Sequence, residues 1–234
     1  MISFCRLFFN FQPVATLSSV NSTLMAKKHL VYKDLQGNPL PSVTTILNVI
    51  NKPGLWEWKL AVGKKRAEQL KEAAGEFGTT VHSAVQSIVE DGQVPTYADV
   101  RVERTMCNLQ KWLDNNIVRW YCMEIGVYHD TLRYGGTFDG IAELKSGKIA
   151  LIDFKSSKRV NPEYYLQLTA YARAERIEDD VFDLSKIDCG LIVHLNHETL
   201  MWESVVVDVH DQYLWEVFKG LAHMYPWWEK YCAH

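Results

Sequence analysis

The chain has 234 residues, 47% of them hydrophobic and 23% charged, which is enough for one globular domain with a sizeable core. The net charge of -3 excludes a uniformly basic nucleic-acid coat protein, although a local basic patch can still bind nucleic acid. No stretch approaches the ~20 consecutive apolar residues of a membrane-spanning helix, so we expect no membrane association.

The cysteines and the first residues bear on the compartment. The five cysteines are widely spaced and form no Cys-x-x-Cys pair, which argues against a disulfide framework, a zinc site and an iron–sulfur cluster. We therefore expect reduced thiols in an intracellular compartment. Residues 1–28 are predicted to be a poorly packed leader or a mis-assigned start. Residues 1–25 contain no acidic side chain, which is typical of a transit segment. We nevertheless favour translation from Met25 and a location in the cytoplasm of a bacterium or host over mitochondrial targeting.

Residues 29–234 are predicted to be a single domain that begins with a helical part over 41–117. A short helix follows Pro41 with Ser42 as its cap, and Pro53-Gly54 predicts a turn before a helix over 55–74. Gly75 and Gly78 are expected to interrupt the chain. The next helix is predicted to begin after a cap at position 79 or 80 and to end at 91–92, and another helix covers about 100–115.

An α/β core is predicted over 118–234. Strands are expected over 119–129, from 135 to 144 and over 148–155, followed by a helix that begins at Asn161-Pro162-Glu163 and runs to about 174. A hairpin over 187–207 and a helix capped by Asp208 complete the chain. The order indicates a mixed central β-sheet flanked by helices, with an N-terminal helical extension.

Two aspartates and a lysine in this core point to a metal site. Asp139 ends the sequence Gly-Thr-Phe-Asp on one predicted strand, and Asp153-Phe-Lys155 lies on the next. Because alternate strand residues share a face, Asp153 and Lys155 point the same way, while Phe154 anchors the strand and leaves its carbonyl available to a cation. Mg²⁺ takes such oxygen ligands, and we expect Mn²⁺ to substitute for it. Lys155 would orient or help deprotonate a metal-bound water, or neutralise phosphate charge.

The hairpin between these strands decides whether the two aspartates can cooperate. With a two-residue turn at Ser146-Gly147, Asp139 would lie opposite Phe154 and point away from Asp153. We therefore predict either a three-residue loop, with Gly147 as its left-handed residue, or a bulge at Gly140.

Several further side chains are candidates for the same site. His82 would be a third ligand, although a histidine in this position is more often structural. Glu124, one strand earlier, would bind a second cation or hold a metal-bound water, or else it faces solvent or forms an ion pair. Gln167 and Tyr171 share a helix face and would contact a phosphate backbone or the strand of Lys155, or else Tyr171 packs on the sheet and Gln167 faces solvent.

The basic residues divide into two groups. Lys158 and Arg159 follow the strand that carries Lys155 and are candidate phosphate contacts. Residues 64–66 are also basic but fit a solvated helix face better. Because the segment that begins at Gly63 lacks the leading glycine of a phosphate-binding loop, we expect no nucleotide cofactor.

Taken together and in order, these motifs resemble the PD-(D/E)XK nuclease superfamily, in its RecB-like exonuclease branch. The motifs are 78–82, Glu124, 136–139, 152–155 and 167–171, and residues 41–47 are similar to the opening of phage-type members and of the mitochondrial genome maintenance exonuclease. The resemblance covers about 41–174. It lacks the cysteine cluster of the iron–sulfur subgroup, and the second acidic residue is Asp153, where many members have Glu.

The resemblance implies a restriction-endonuclease-like fold and metal-dependent hydrolysis of phosphodiester bonds in DNA. His82, Asp139, Asp153 and the Phe154 carbonyl would hold the metal, and Lys155 would position the attacking water. It further implies a stand-alone exonuclease in phage or organellar-type DNA replication, recombination or repair, acting on single-stranded or duplex ends. A recombinase, a single-strand-binding protein or a polymerase would be its partner.

Three other functions remain open from the sequence. The first is a structure-specific endonuclease of the same fold, and the second is a non-catalytic nucleic-acid-binding module. The third is a carboxylate-pair hydrolase of sugars, which would give no role to His82 or Lys155.

Overall fold

The structure is a computed structural model that describes residues 31–50, 53–196 and 198–232. The chain from Val31 onward clusters as one compact unit. The leader predicted over 1–28 lies outside the described residues.

A small hairpin and a short helix begin the described chain. Strands β1 (Tyr32–Lys33) and β2 (Pro39–Leu40) pair antiparallel, and helix α1 (Val43–Leu47) follows directly. The Ser42 hydroxyl accepts a hydrogen bond from the Thr45 amide at 3.0 Å, so the predicted cap is confirmed. Such a bond satisfies one of the amides that a helix start leaves without an intrahelical partner.

Three longer helices come next: α2 (Pro53–Val62), α3 (Lys64–Asp91) and α4 (Val100–Asn116). The predicted turn at 53–54 is wrong, because Pro53 is the first residue of α2, where a missing amide costs nothing. The break falls instead at Gly63, which has a φ of 81°.

Helix α3 runs without interruption through the two glycines that were predicted to end one helix and begin another. The predicted caps at 79 and 80 are wrong, since the Thr79 and Thr80 hydroxyls each lie 3.1 Å from the carbonyl four residues earlier. A glycine inside a helix costs only about 1 kcal/mol, and the buried side chains of the second half of α3, Val81 among them, offset that cost. The predicted end at 91–92 is confirmed by the left-handed Gly92.

Replacing Gly75 by Ala should stabilise the protein, because Gly75 lies in a continuous helix and an added Cβ meets no atom within 4 Å. We expect the free energy of unfolding in urea to rise by about 0.5–1 kcal/mol. Gly37→Ala is the matched control, since it also has open space but a φ of +85°, and it should destabilise. A loss of stability in Gly75→Ala would contradict a continuous α3.

The central sheet has six strands in the order β6-β3-β4-β5-β7-β8. Their bounds are β3 (Ile117–His129), β4 (Tyr134–Leu144), β5 (Ile149–Ser157), β6 (Arg176–Ile177), β7 (Cys189–Asn196) and β8 (Met201–Val207). Strands β5 and β7 pair parallel, and the other neighbouring pairs are antiparallel. The predicted α/β class with a mixed central sheet flanked by helices is therefore confirmed, and it is consistent with a restriction-endonuclease-like fold.

Helices cover both faces of this sheet. On one face α1, α5 (Glu163–Ala172) and α6 (Gln212–Cys232) contribute to a first core cluster, which includes Ile46, Leu168 and Phe218. On the other face α3 and α4 contribute to a second core cluster, which includes Val85 and Leu109. The sheet is therefore the middle of three layers.

The capping residues at the N-termini of α5 and α6 differ from those predicted. The predicted cap Asp208 accepts from the His210 amide before the helix, while Asp211 Oδ1 accepts from the Tyr213 amide at 2.7 Å. Asn161 also makes no cap bond through its side chain, which donates to the Tyr164 hydroxyl instead. Within the described ranges, no helix is both long enough and apolar enough to cross a bilayer.

Candidate metal centre

Strands β4 and β5 diverge in the middle of the sheet. Their ladder reaches Gly140, opposite Ile152, and goes no further. Beyond that pair β4 stays bonded to β3 as far as Tyr134, while β5 stays bonded to β7 through Ser157. We call the opening between 134–139 of β4 and 153–157 of β5 the wedge. Asp139 and Asp153 are the first residue on each of its sides.

The register that brings these aspartates together is the predicted one. Leu144 donates to the Lys148 carbonyl at 2.8 Å, so the loop is the three residues 145–147. Gly147 has a φ of 82°, a left-handed conformation in which a Cβ would be strained. The pairing continues to Ala142 opposite Ala150 and Gly140 opposite Ile152, which sets Asp139 level with Asp153. The prediction of a three-residue loop is confirmed.

Asp139 also contacts the opposite side of the wedge through the backbone. Its Oδ2 accepts a hydrogen bond of 2.6 Å from the Phe154 amide. The amide and carbonyl of one strand residue point to the same side, so the Phe154 carbonyl also faces the wedge. The Phe154 side chain is buried in the second core cluster, as expected for an anchor.

The backbone at Glu124 is unusual for a strand. Glu124 has a φ of 53°, a left-handed conformation that costs a non-glycine residue about 1–2 kcal/mol. Its neighbour Met123 packs against the second core cluster, whereas Ile125 packs against the first. In a regular strand these two side chains would share a face. Met123 pairs with Gly140 and Ile125 with Phe138, so Glu124 lies opposite Asp139. The kink at Glu124 therefore reverses the faces of β3 at the position of Asp139.

Three side chains converge at this point to form a potential cation site. His82, Glu124 and Asp139 each offer a ligand atom, and these atoms lie within 4.8 Å of one another. His82 comes from α3, and its Nδ1 lies 3.3 Å from Asp139 Oδ1. A cation held here would have an imidazole and two carboxylates as ligands, a donor set that suits first-row divalent ions.

Asp153, which is buried, and Lys155, which is partly exposed, form an ion pair beside this cluster. Lys155 Nζ lies 2.6 Å from Asp153 Oδ2 and 5.2 Å from the centre of the Tyr164 ring. Among the described residues, no other group donates a hydrogen bond to Asp153 Oδ2. A buried carboxylate oxygen with one close partner keeps lone pairs that can coordinate a cation.

The two aspartates differ in their affinity for a proton. Burial raises the pKa of Asp153, and the charge of Asp139 raises it further, although Lys155 opposes both effects. Burial also acts to raise the pKa of Asp139, but His82, Lys155 and the Phe154 amide together bring it below the ordinary value. Burial acts to lower the pKa of Lys155, but Asp153 and Asp139 raise it overall. Asp139 is therefore ionised and Lys155 is protonated at neutral pH.

Gln167 and Tyr171 lie behind β4 and are buried. Gln167 Nε2 donates to the Tyr171 hydroxyl at 2.8 Å, and burial, with the charge of Asp153 as a second cause, raises the pKa of Tyr171 well above its usual value. The Tyr171 ring fills the space where Gly136 would carry a Cβ, only 2.3 Å away. This contact explains why position 136 is a glycine. Phosphate binding by the two side chains stays a prediction.

Lys158 and Arg159 follow the end of β5 and are exposed. Lys158 Nζ forms an ion pair with Glu198 at 3.0 Å, and Asn196 donates to the Lys158 carbonyl. These contacts hold the segment against the end of β7. The predicted phosphate contacts are therefore surface residues beyond the wedge, and their role stays a prediction.

One neighbour of the site was missed from the sequence. Tyr32 of β1 packs over Gly135, and its hydroxyl lies 3.0 Å from Thr137 Oγ1. Burial raises the pKa of Tyr32, and the charge of Glu124 raises it further. A two-residue strand has no periodicity, so the sequence held no signal for this contact.

Comparisons with known proteins add little to this geometry. No family model matches the chain, and no curated protein matches it. A solved structure titled "Crystal structure of SSO0001" is 14% identical, covers 82% of this chain and 81% of its own, and superposes with a TM-score of 0.42.

Proposed function

We propose that this chain is a divalent-cation-dependent deoxyribonuclease that hydrolyses phosphodiester bonds from the ends of DNA. One observation carries the proposal: His82, Glu124 and Asp139 converge within 4.8 Å at the open end of the β4–β5 ladder, beside the Asp153–Lys155 pair. The resemblance of the ordered motifs to RecB-like exonucleases supports it, because those motifs include the same residues.

Each side chain has a distinct role in this proposal. Asp139 and Asp153, with the Phe154 carbonyl and His82, hold Mg²⁺ or Mn²⁺, and Glu124 completes the ligand set. The cation supplies electrostatic stabilisation of charge that develops on phosphoryl oxygens. Lys155 is protonated, so it holds the attacking water by donating a hydrogen bond or offsets phosphate charge, and the ring of Tyr164 keeps the ammonium in place.

The setting of the enzyme is part of the same proposal. DNA ends would enter the wedge, where backbone phosphates are the main contacts, so affinity should fall with salt. Phage or organellar-type replication, recombination or repair is the process, with a recombinase, single-strand-binding protein or polymerase as partner. An intracellular reducing compartment fits the four described cysteines, none of which is in a disulfide.

Digestion of end-labelled DNA tests the proposal. Linear single-stranded and duplex DNAs labelled separately at each end should be shortened in Mg²⁺, and closed circular DNA should survive. Chelation of the cation should stop the reaction. Nicking of the circle would instead show a structure-specific endonuclease, and binding without cleavage would show a non-catalytic module.

A further inference from the structure

The exposed side of α6 carries an apolar stripe that the described residues of one chain leave largely uncovered. One side of the helix packs into the first core cluster through Phe218, Ala222 and Tyr225. Along another side, residues follow one another alternately four and three positions apart. They are Tyr213, Val217, Gly220, Met224, Trp227 and Tyr231.

Most of this stripe is exposed. Tyr213 is 74% exposed, Met224 41%, Trp227 58% and Tyr231 60%, whereas Val217 is partly buried at the border with the first core cluster. The alternating spacing averages 3.5 residues, which is the repeat that brings the a and d positions of two helices together along a coiled-coil seam. Scattered apolar residues need no explanation, but a continuous seam at this repeat indicates a partner helix.

We propose that α6 pairs antiparallel with α6 of a second copy of this chain, about a two-fold axis near Ala222. Such a contact uses the same surface twice, as isologous dimers do. The proposal does not depend on the proposed nuclease activity, since the stripe shares no residue with the wedge.

The sizes of the stripe residues fit this pairing. In antiparallel register Gly220 meets Met224 of the second copy, and Val217 meets its Trp227, so each large side chain faces a smaller one. Contacts among the described residues do not explain why position 220 is a glycine, because an added Cβ would meet no atom within 4 Å. A glycine in a helix interior costs about 1 kcal/mol, and a close approach by Met224 of another copy would explain it.

The charges beside the stripe fit as well. Glu216 and Lys230 lie at equal distances in sequence on either side of His223, and both are exposed. In the antiparallel register set by the stripe, Lys230 of one copy lies two residues, or about 3 Å along the axis, from the level of Glu216 of the other. These long side chains can bridge that offset, which gives two opposite-charge pairs beside the seam. Parallel helices in register would bring Glu216 level with Glu216 of the other copy and beside its Leu221, without any such pair. The charges therefore select a second, antiparallel copy as the occupant.

Sedimentation of the full-length protein tests the pairing. We expect a monomer–dimer equilibrium between about 1 μM and about 1 mM, the range of a small helix–helix contact. Met224→Glu should raise the dissociation constant by about tenfold or more, because it brings carboxylates into the seam. Met201→Glu is the matched control, since Met201 is 65% exposed but lies on β8, and it should leave the equilibrium unchanged.

A charge exchange tests the direction of the helices. Glu216→Lys and Lys230→Glu should each weaken the dimer, because each variant sets like charges opposite one another. The double variant should restore the dissociation constant to within about threefold of the original value, since both pairs are re-formed in reverse. A monomer at every concentration, a dimer that tolerates Met224→Glu, or a double variant as weak as the singles would overturn the proposal.

Discussion

Replacing Asp153 by Asn should remove the proposed cation-dependent DNA cleavage, with an expected loss of at least about 1,000-fold in kcat/KM. Asp153 is buried, and the Lys155 ammonium, 2.6 Å away, is the one close partner that the described residues give its Oδ2. An amide in its place keeps the shape and loses the charge that would bind the cation.

The same substitution should also destabilise the protein, because it leaves the partly buried Lys155 ammonium without its nearest partner. Loss of one member of a buried ion pair typically costs about 3–5 kcal/mol, and the 19% exposure of the Lys155 side chain places the expected loss at the lower end of that range. Replacing both partners, as in Asp153→Asn with Lys155→Met, should recover most of this stability but none of the activity. The double variant therefore separates a folding defect from a catalytic one.

Urea unfolding and end-labelled DNA digestion of the two single variants and the double variant measure these effects. Lys186→Met is a suitable control, since Lys186 is exposed and lies outside the wedge, and it should retain full activity. Cleavage by a stably folded Asp153→Asn, Lys155→Met double variant would refute a catalytic role for the pair.

Glu124→Gly should weaken cation binding with little effect on the fold. Removal of one ligand should lower the affinity for Mn²⁺ by about 10–100-fold. Glycine adopts the φ of 53° found at this position without the strain of a Cβ, which offsets the loss of the interactions that the Glu124 side chain makes. The free energy of unfolding without metal should therefore change by no more than about 1 kcal/mol.

Titration calorimetry with Mn²⁺ and urea unfolding in chelator provide the two measurements. Glu124→Gln separates the effect of the charge from the effect of backbone strain, because it removes the charge and keeps the strained backbone. Leu200→Gly is the control for strain alone, as its φ is 57° outside the site, and it should leave the affinity for Mn²⁺ unchanged. Unaltered Mn²⁺ affinity in Glu124→Gly would exclude Glu124 as a ligand.

The parts of the fold that local chemistry determines could be predicted from the sequence. The three-residue loop followed from the need of Asp139 and Asp153 to share a site, together with a glycine at 147. Strand alternation correctly placed Phe154 in the core and Asp153 beside Lys155. These predictions rest on residues close together in sequence, where the two-residue period leaves few alternatives.

The parts that depend on tertiary packing could not be predicted. Gly75 and Gly78 suggested a helix boundary, but α3 continues because its second half packs against the sheet, where an added Cβ on Gly78 would lie 3.3 Å from Ser156 Oγ. The left-handed backbone of Glu124 has no sequence signal, because glutamate rarely adopts it. The contact of Tyr32 with Thr137 spans 105 positions, and no local pattern encodes it.

The three-residue loop at 145–147 has a consequence for how this chain can change in length. Residues added to that loop can be taken up by the loop itself, because the pairing of Gly140 with Ile152 and of Glu143 with Ile149 sets the faces of β5. A single residue inserted inside β5, between Ile149 and Asp153, would instead turn Asp153 and Lys155 towards the second core cluster and bring Phe154 to their present face, with all the proposed catalytic side chains still present in the sequence. Among related chains, changes in the number of residues between Asp139 and Asp153 should thus fall in the loop, or be compensated by a bulge where they fall in a strand.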